Sequence, residues 1–141
     1  MGISDDLVSA WESHDPSRVA GLYTEDGVRE EFILPRAILR GREEIAQQIG
    51  AYMMAVPDCY LEIRRQAQGQ DGTMTLEWTW GGTHSGDIEG WPAAGEQVRL
   101  PGVGVYELDG NLIQRENIYT DMAIMLAGAG LLPGAEVRPE P

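Results

Sequence analysis

The chain has 141 residues, a formal net charge of −13 and a hydrophobic content of 43%. This length suits one domain with one core, and the composition is that of a soluble globular protein. A surface this acidic repels nucleic acid and anionic membranes, so we expect neither as a main partner.

The single cysteine, Cys59, cannot form an internal disulfide, which favours a reducing, cytoplasmic location. With one cysteine and with His14 and His84 far apart in sequence, a structural metal site is not expected. The sequence contains no glycine-rich phosphate-binding motif and no serine-nucleophile elbow, so nucleotide cofactors and a serine nucleophile have no support.

The first half of the chain reads as three helices and a strand. Apolar residues at helical spacing predict a helical hairpin over residues 3–13 and 15–23. A turn is predicted at 24–27 and a strand at 28–34. A third helix starts at Gly41 and is ended by Pro57 and Asp58.

The second half reads as four strands, at residues 60–67, 73–84, 97–108 and 112–120. A loop rich in glycine and proline covers 85–96, and a short helix is predicted at 122–127. Residues 133–141 are predicted to be a flexible tail, which leaves a single domain over 1–132.

This order predicts an α+β fold. The helices pack on one face of a curved antiparallel sheet, because strands and helices are segregated along the chain. Such a sheet closed by helices forms a cone with an apolar cavity and one open mouth. Cavities of this kind suit small, largely apolar ligands.

Strand alternation brings aromatic and polar residues onto common faces, as expected of a pocket for a ringed ligand. On the second long strand these are Trp78, Trp80, Gly82 and His84. On the last strand they are Arg115, Asn117, Tyr119 and Asp121.

Asp121 stands where the last strand gives way to the final helix. A carboxylate there caps the helix, or it serves as a general acid/base whose pKa rises in an enclosure of Trp and Tyr. The two roles need not exclude each other.

The other candidates have two interpretations each. His84 either bonds a loop carbonyl, or it polarises a substrate oxygen or pairs with Asp121. Trp78 and Trp80 are core residues or a ligand platform, and Trp91 is a lid or a dimer contact. Glu30 and Glu31 either both lie on a solvated surface, which is the commoner fate of such residues, or one of them points inward because they alternate faces. Glu31 is the candidate for a substrate contact.

Several segments together resemble the SnoaL-like polyketide cyclase family, within the superfamily of nuclear transport factor 2 and ketosteroid isomerase. They are residues 80–86 (Trp-Gly-Gly-Thr-His-Ser-Gly), 90–95 (Gly-Trp-Pro-Ala-Ala-Gly), 108–113 (Leu-Asp-Gly-Asn-Leu-Ile) and 119–121 (Tyr-Thr-Asp). The helical hairpin and residues 23–26, 41–45 and 56–58 fit as well, so the resemblance extends to about residue 132.

The resemblance implies a homodimer of cones, each with a deep apolar cavity and no cofactor. It places an acid/base for intramolecular aldol closure on Asp121, with His84 near the cavity. The chain departs from the family at residues 101–105, which lack the histidine of the anthracycline cyclases. Residues 100–107 also look like limonene-epoxide hydrolases, whose Asp-Arg-Asp set is not reproduced.

The leading hypothesis is therefore a cofactor-free enzyme that cyclises a polyketide-like or other polycyclic carbonyl compound. Asp121 and His84 are its catalytic candidates. Its substrate-binding candidates are Trp80, Trp78, Tyr119, Asn117, Trp91 and Glu31. The alternatives are epoxide opening, a hydroxylation-related reaction, or non-catalytic binding of an apolar ligand.

Overall fold

A computed structural model of the chain describes residues 2–33, 36–87 and 95–128. The predicted tail at 133–141 and Trp91 lie outside the described residues. Within them the helices are α1 (Ile3–Glu12), α2 (Pro16–Ala20), α3 (Gly41–Ala55) and α4 (Ala123–Gly128). The strands are β1 (Tyr23–Glu31), β2 (Ala37–Arg40), β3 (Tyr60–Gln68), β4 (Met74–Thr83), β5 (Gln97–Asp109) and β6 (Leu112–Thr120).

The six strands form one curved, unclosed sheet in the order β2-β1-β6-β5-β4-β3. Strands β3 to β6 form an antiparallel meander, and β2 pairs antiparallel with β1. The α+β fold predicted from the sequence is thus confirmed. One pair is parallel, however: β1 runs beside β6 and aligns Arg29 with Glu116.

The helices cover one face of the sheet. Helix α1 packs on β3, and α3 packs on β1 and α2. The core between them is built from large apolar side chains, among them Leu7, Trp11, Val19, Ile45, Ile49, Leu76 and Ile113. None of the described helices is long and apolar enough to cross a membrane.

Strand β1 begins earlier than its sequence pattern predicts. Residues 24–27 were expected to form a turn, yet the strand starts at Tyr23, and its pairing with β6 shifts register between Tyr23 and Val28. Gly27 permits this irregular stretch, because a Cβ atom there would lie 3.0 Å from the Cβ of Tyr23. The early start buries Tyr23 completely in the core.

Candidate functional site

A cavity opens between the helices and the concave face of the sheet. Its volume is about 90 Å³, measured as the space open to the centre of a water-sized sphere. By the same measure one water needs about 10–15 Å³, so the cavity has room for several waters or a small ring compound. Its lining comprises Leu7, Trp11, Arg29, Glu31, Ile33, Tyr52, Leu61, Trp78, Trp80, Leu100, Tyr106, Glu116, Ile118, Thr120, Met122 and Met125.

Aromatic rings form much of the cavity wall. Trp80 meets Trp11 edge to face at a centroid distance of 6.1 Å, and Tyr52 lies 6.3 Å from Trp80. Trp78 occupies the space above Gly102, where a Cβ atom would lie 2.3 Å from the indole ring. Residue 102 must therefore be glycine for the Trp78 ring to lie flat against β5.

Glu116 is one of two acids of the cavity and is 3% exposed. Its Oε1 accepts a hydrogen bond from Arg29 Nη1 at 2.7 Å and another from the hydroxyl of Tyr23. Tyr106 lies beside Glu116 in the register of β5 and β6. Two donors thus converge on one oxygen of this carboxylate.

Glu31 is the second acid of the cavity, also 3% exposed. Its Oε1 accepts from the Tyr52 hydroxyl at 2.8 Å and from Gln48 Nε2 at 3.3 Å. Its Oε2 accepts from Arg29 Nη2 at 3.3 Å. Arg29 therefore bridges the two carboxylates and holds them in one connected network.

The local structure explains why these groups meet. Arg29 and Glu31 are two apart on β1 and share its inward face. The parallel register brings Glu116 beside Arg29. Gln48 and Tyr52 are four apart on α3, on one side of the helix, and reach down to Glu31.

The tyrosines of the network are neutral donors at physiological pH. Burial, followed by the negative charge of Glu116, holds the pKa of Tyr23 and of Tyr106 well above its ordinary value. Burial and then Glu31 likewise raise the pKa of Tyr52 far above the usual range. Burial alone would lower the pKa of Arg29. Glu116 and then its other neighbours together raise that pKa above its ordinary value, so the guanidinium stays charged.

Three of the residues predicted from the sequence are among those that line the cavity. They are Trp78, Trp80 and Glu31. The inward direction of Glu31 follows from strand alternation, whereas its neighbour Glu30 lies on the other face, where Arg36 and Arg115 pair with it.

The face of β6 that was expected to line the pocket lies on the opposite side of the strand. Tyr119 is 45% exposed and stacks on Phe32, and Asn117 accepts a hydrogen bond from Arg115. The cavity face of β6 is instead Glu116, Ile118 and Thr120. Asn117 and Tyr119 therefore do not line the cavity as expected. The parallel pairing of β1 with β6 turns the alternate residues of β6, those in step with Glu116, toward the cavity instead.

Asp121 is exposed, and its Oδ1 accepts a hydrogen bond from the backbone N–H of Ala123 at 3.0 Å. This is the geometry of a cap on α4. Among the described residues, its neighbours Thr120 and Met122 line the cavity and Asp121 does not. The expected position of Asp121 inside the pocket is corrected in this way, while its role as an acid/base stays a prediction.

His84 is fully buried at the end of β4, away from the cavity lining given above. Its Nδ1 lies 3.2 Å from Glu96 Oε1, and in the described structure its Nε2 has no partner. The backbone N–H of His84 donates to the carbonyl of Glu96, and the carbonyl of His84 accepts from the N–H of Gly95. His84 thus closes the base of the loop that follows β4.

The sequence pattern did not single out Glu116, Arg29, Tyr52 or Tyr106 for the site. Glu116 shares its strand parity with Gln114, Ile118 and Thr120, a mixed set that does not mark an inward face. The pairing of Arg29 with Glu116 depends on the parallel register, which the sequence pattern does not specify.

Comparison with known proteins places the chain in a family. The family described as SnoaL-like domain matches residues 5–116. The chain belongs to the SnoaL-like domain family. A search of curated proteins finds no match to this SnoaL-like domain.

Solved structures agree with this SnoaL-like domain over nearly its whole length. A Catenulispora acidiphila protein with a ketosteroid isomerase-like fold, solved with trimethylamine, is 22% identical, with a TM-score of 0.76 and coverage of 92% of this chain and 93% of that one. AclR from Streptomyces galilaeus, provisionally described as a hydroxylase, is 20% identical, with a TM-score of 0.79 and coverage of 95% and 86%. A Jannaschia protein, provisionally described as a SnoaL-like polyketide cyclase, is 13% identical, with a TM-score of 0.75 and coverage of 93% of each chain.

These likenesses establish the ketosteroid isomerase-like fold of this SnoaL-like domain. At such identities they carry no residue roles, so the chemistry must be argued from the cavity itself.

Proposed function

We propose that this SnoaL-like domain is a small-molecule enzyme whose reaction takes place in the aromatic cavity, with Glu31 as the group that accepts a proton from the substrate. The observation that supports this proposal is the position of the Glu31 carboxylate. It lies in the cavity wall, 2.8 Å from a neutral tyrosine hydroxyl and among aromatic rings that fit an apolar substrate.

Of the two acids, we assign the role of proton acceptor to Glu31. Glu116 receives a short charge-assisted bond from Arg29 at 2.7 Å, whereas the contact of Arg29 with Glu31 is 3.3 Å long. A proton transferred to Glu31 therefore disrupts the longer and weaker of the two ion pairs.

Tyr52 supplies the second part of the mechanism. Its hydroxyl is neutral and donates to Glu31. When Glu31 takes a proton, that bond weakens and the hydroxyl can turn to an oxygen on which negative charge develops. A carbonyl substrate would thereby lose a proton from the carbon next to the carbonyl and become an enolate, whose oxygen the Tyr52 hydroxyl stabilises.

Intramolecular aldol closure of a polyketide-like compound is the reaction we propose within this class. It needs a base for the carbon acid and a donor for the enolate oxygen, and no redox step. The Jannaschia structure, provisionally described as a polyketide cyclase, has the same fold as this SnoaL-like domain, in which Glu31 and Tyr52 meet.

Exchange of hydrogen for deuterium tests the proton transfer without knowledge of the natural substrate. 2-Tetralone, a bicyclic ketone, is incubated with the protein in D₂O, and NMR follows loss of the protons next to the carbonyl. We expect exchange above the buffer rate. In Glu31→Gln the protein-dependent rate should fall at least about 100-fold, the lower end of general-base contributions.

Asp121→Asn distinguishes the cavity from the cap on α4 as the site of the chemistry. If Glu31 is the base, Asp121→Asn keeps the exchange rate of the unmodified protein. Loss of exchange in Asp121→Asn with retention in Glu31→Gln would overturn the proposal and return the acid/base role to Asp121.

A further inference from the structure

The cavity presents more negative than positive charge to a ligand. Its two carboxylates, Glu31 and Glu116, face one guanidinium, that of Arg29. The tyrosines are neutral, so the network carries one net negative charge when both carboxylates are ionised. We propose that the substrate carries a protonated amino group, bound by this network and by the surrounding rings.

Several guanidinium and hydroxyl donors of the lining are already used. Arg29 donates to both carboxylates, and Tyr52 donates to Glu31. Thr120 donates to the carbonyl of Pro101. A ligand carboxylate or phosphate would have to break these bonds before it could be held.

Two N–H groups of the lining are buried without a partner in the described structure, Arg29 Nε and Trp80 Nε1. Protein atoms cover both of them, so neither is placed to bind an anionic ligand.

Acceptor capacity does remain at Glu31. Its Oε2 has a single described partner, Arg29 Nη2 at 3.3 Å, whereas a carboxylate oxygen accepts two hydrogen bonds. An ammonium N–H can fill the second position and adds a favourable charge interaction. A neutral or anionic ligand gains no such interaction there.

The walls suit a cation as well. Trp11, Trp78, Trp80 and Tyr52 all line the cavity. The negative face of an aromatic ring attracts a cation that lies within about 6 Å of its centre. The net charge of −13 also raises the concentration of cationic ligands near the protein.

The amine specificity rests on the proposed use of the cavity as the substrate site, yet it is measured separately from proton transfer. Tryptophan fluorescence at pH 7 is titrated with benzylamine, benzyl alcohol and benzoate, which share one ring and differ in charge. We expect benzylamine to bind at least tenfold more tightly than benzyl alcohol, and benzoate to bind most weakly. Equal affinities, or a preference for benzoate, would overturn the proposal.

Two neighbouring acids of β1 provide a matched pair of variants. Glu31→Gln removes a charge from the cavity and should reduce the benzylamine-to-benzyl alcohol affinity ratio at least about fivefold. Glu30→Gln removes the same charge from the opposite face, where Arg36 and Arg115 lie, and should leave the ratio unchanged. Equal effects of the two would contradict recognition in the cavity.

The ligand series in the unmodified protein decides the question even if a variant fails to fold. Amine preference without 2-tetralone exchange would refute the proposed proton transfer and keep the amine site. Exchange without amine preference would refute the amine site and keep the proton transfer.

Discussion

Glu31 and its hydroxyl partner on α3 are the residues on which the proposed chemistry depends. The carboxylate accepts from Tyr52, Gln48 and Arg29, which fixes its direction toward the cavity. A base held by several neighbours needs no rearrangement before it reacts, which is how preorganised sites gain rate.

Replacing Tyr52 by phenylalanine tests the donor to the enolate. We expect the rate of 2-tetralone exchange to fall at least about tenfold, since loss of one such donor typically costs 10²–10³ in established oxyanion sites. Tyr119→Phe is the control, because that hydroxyl lies on the outer, exposed face of β6. An unchanged rate in a folded Tyr52→Phe protein would exclude this role.

Asp121→Ala tests the cap on α4. Loss of an aspartate cap typically costs about 1 kcal/mol, so urea unfolding should show a loss of that order. The hydrogen bond to Ala123 N–H is the interaction removed. Unchanged stability would show that this bond contributes nothing measurable to the fold.

For individual residues, the sequence predicted part of the cavity lining. Strand alternation and residue type were sufficient for Trp78, Trp80 and Glu31. They were not sufficient for Glu116, because which parity of β6 faces inward depends on its neighbour β1. Asp121 fits a pocket or a cap equally well from the sequence alone.

Among the elements, the β1–β6 pair organises the site. It is the parallel pair of the described sheet, and it sets Arg29 against Glu116 across two strands distant in sequence. The helices and the β3–β6 meander follow from local periodicity and turn residues. Strand β2 was missed because it has four residues, too few for strand alternation to stand out in the sequence.

Strand β5 shapes the cavity wall through Gly102, which leaves room for the Trp78 ring. In Gly102→Ala the new Cβ would lie 2.3 Å from the Trp78 ring, so the ring or the strand must move. We expect a loss of about 1–3 kcal/mol in unfolding free energy, typical of overpacking. Ring displacement should also weaken ligand binding in fluorescence titrations.

A double variant shows whether the ring is the cause. Trp78→Leu removes the atoms that clash, so Gly102→Ala should cost less in that background than in the unmodified protein. Additive losses in the double variant would mean that Gly102 matters for backbone reasons and not for Trp78.

At the scale of the whole molecule, the buried tyrosines predict a limit to stability at high pH. Tyr23 and Tyr106 have folded pKa values well above 10.0, their value when exposed. Their contribution is fully present below pH 10 and is lost as pH rises above it, because only the unfolded chain then ionises freely. Each group contributes a slope of about 1.4 kcal/mol per pH unit, and with Tyr52, whose pKa is raised in the same way, the three tyrosines give roughly 4.

Thermal unfolding between pH 8 and 11 measures this effect. The melting temperature should begin to fall above about pH 9, because burial raises the pKa of the Cys59 thiol to about 11, and should fall steeply above about pH 10. A Tyr106→Phe protein should lose about a third of the tyrosine contribution to that slope, since one ionisable group is gone. A flat melting temperature up to pH 11 would contradict the burial of these hydroxyls beside Glu116.

Substrate is proposed to bind in the aromatic cavity beside Glu31. A crystal structure of the protein with 2-tetralone tests this position. We expect the 2-tetralone ring among Trp11, Trp78 and Trp80, with the carbon next to the carbonyl within about 3–3.5 Å of a Glu31 oxygen. An empty cavity at saturating ligand, or 2-tetralone bound on the surface beside Asp121, would contradict it.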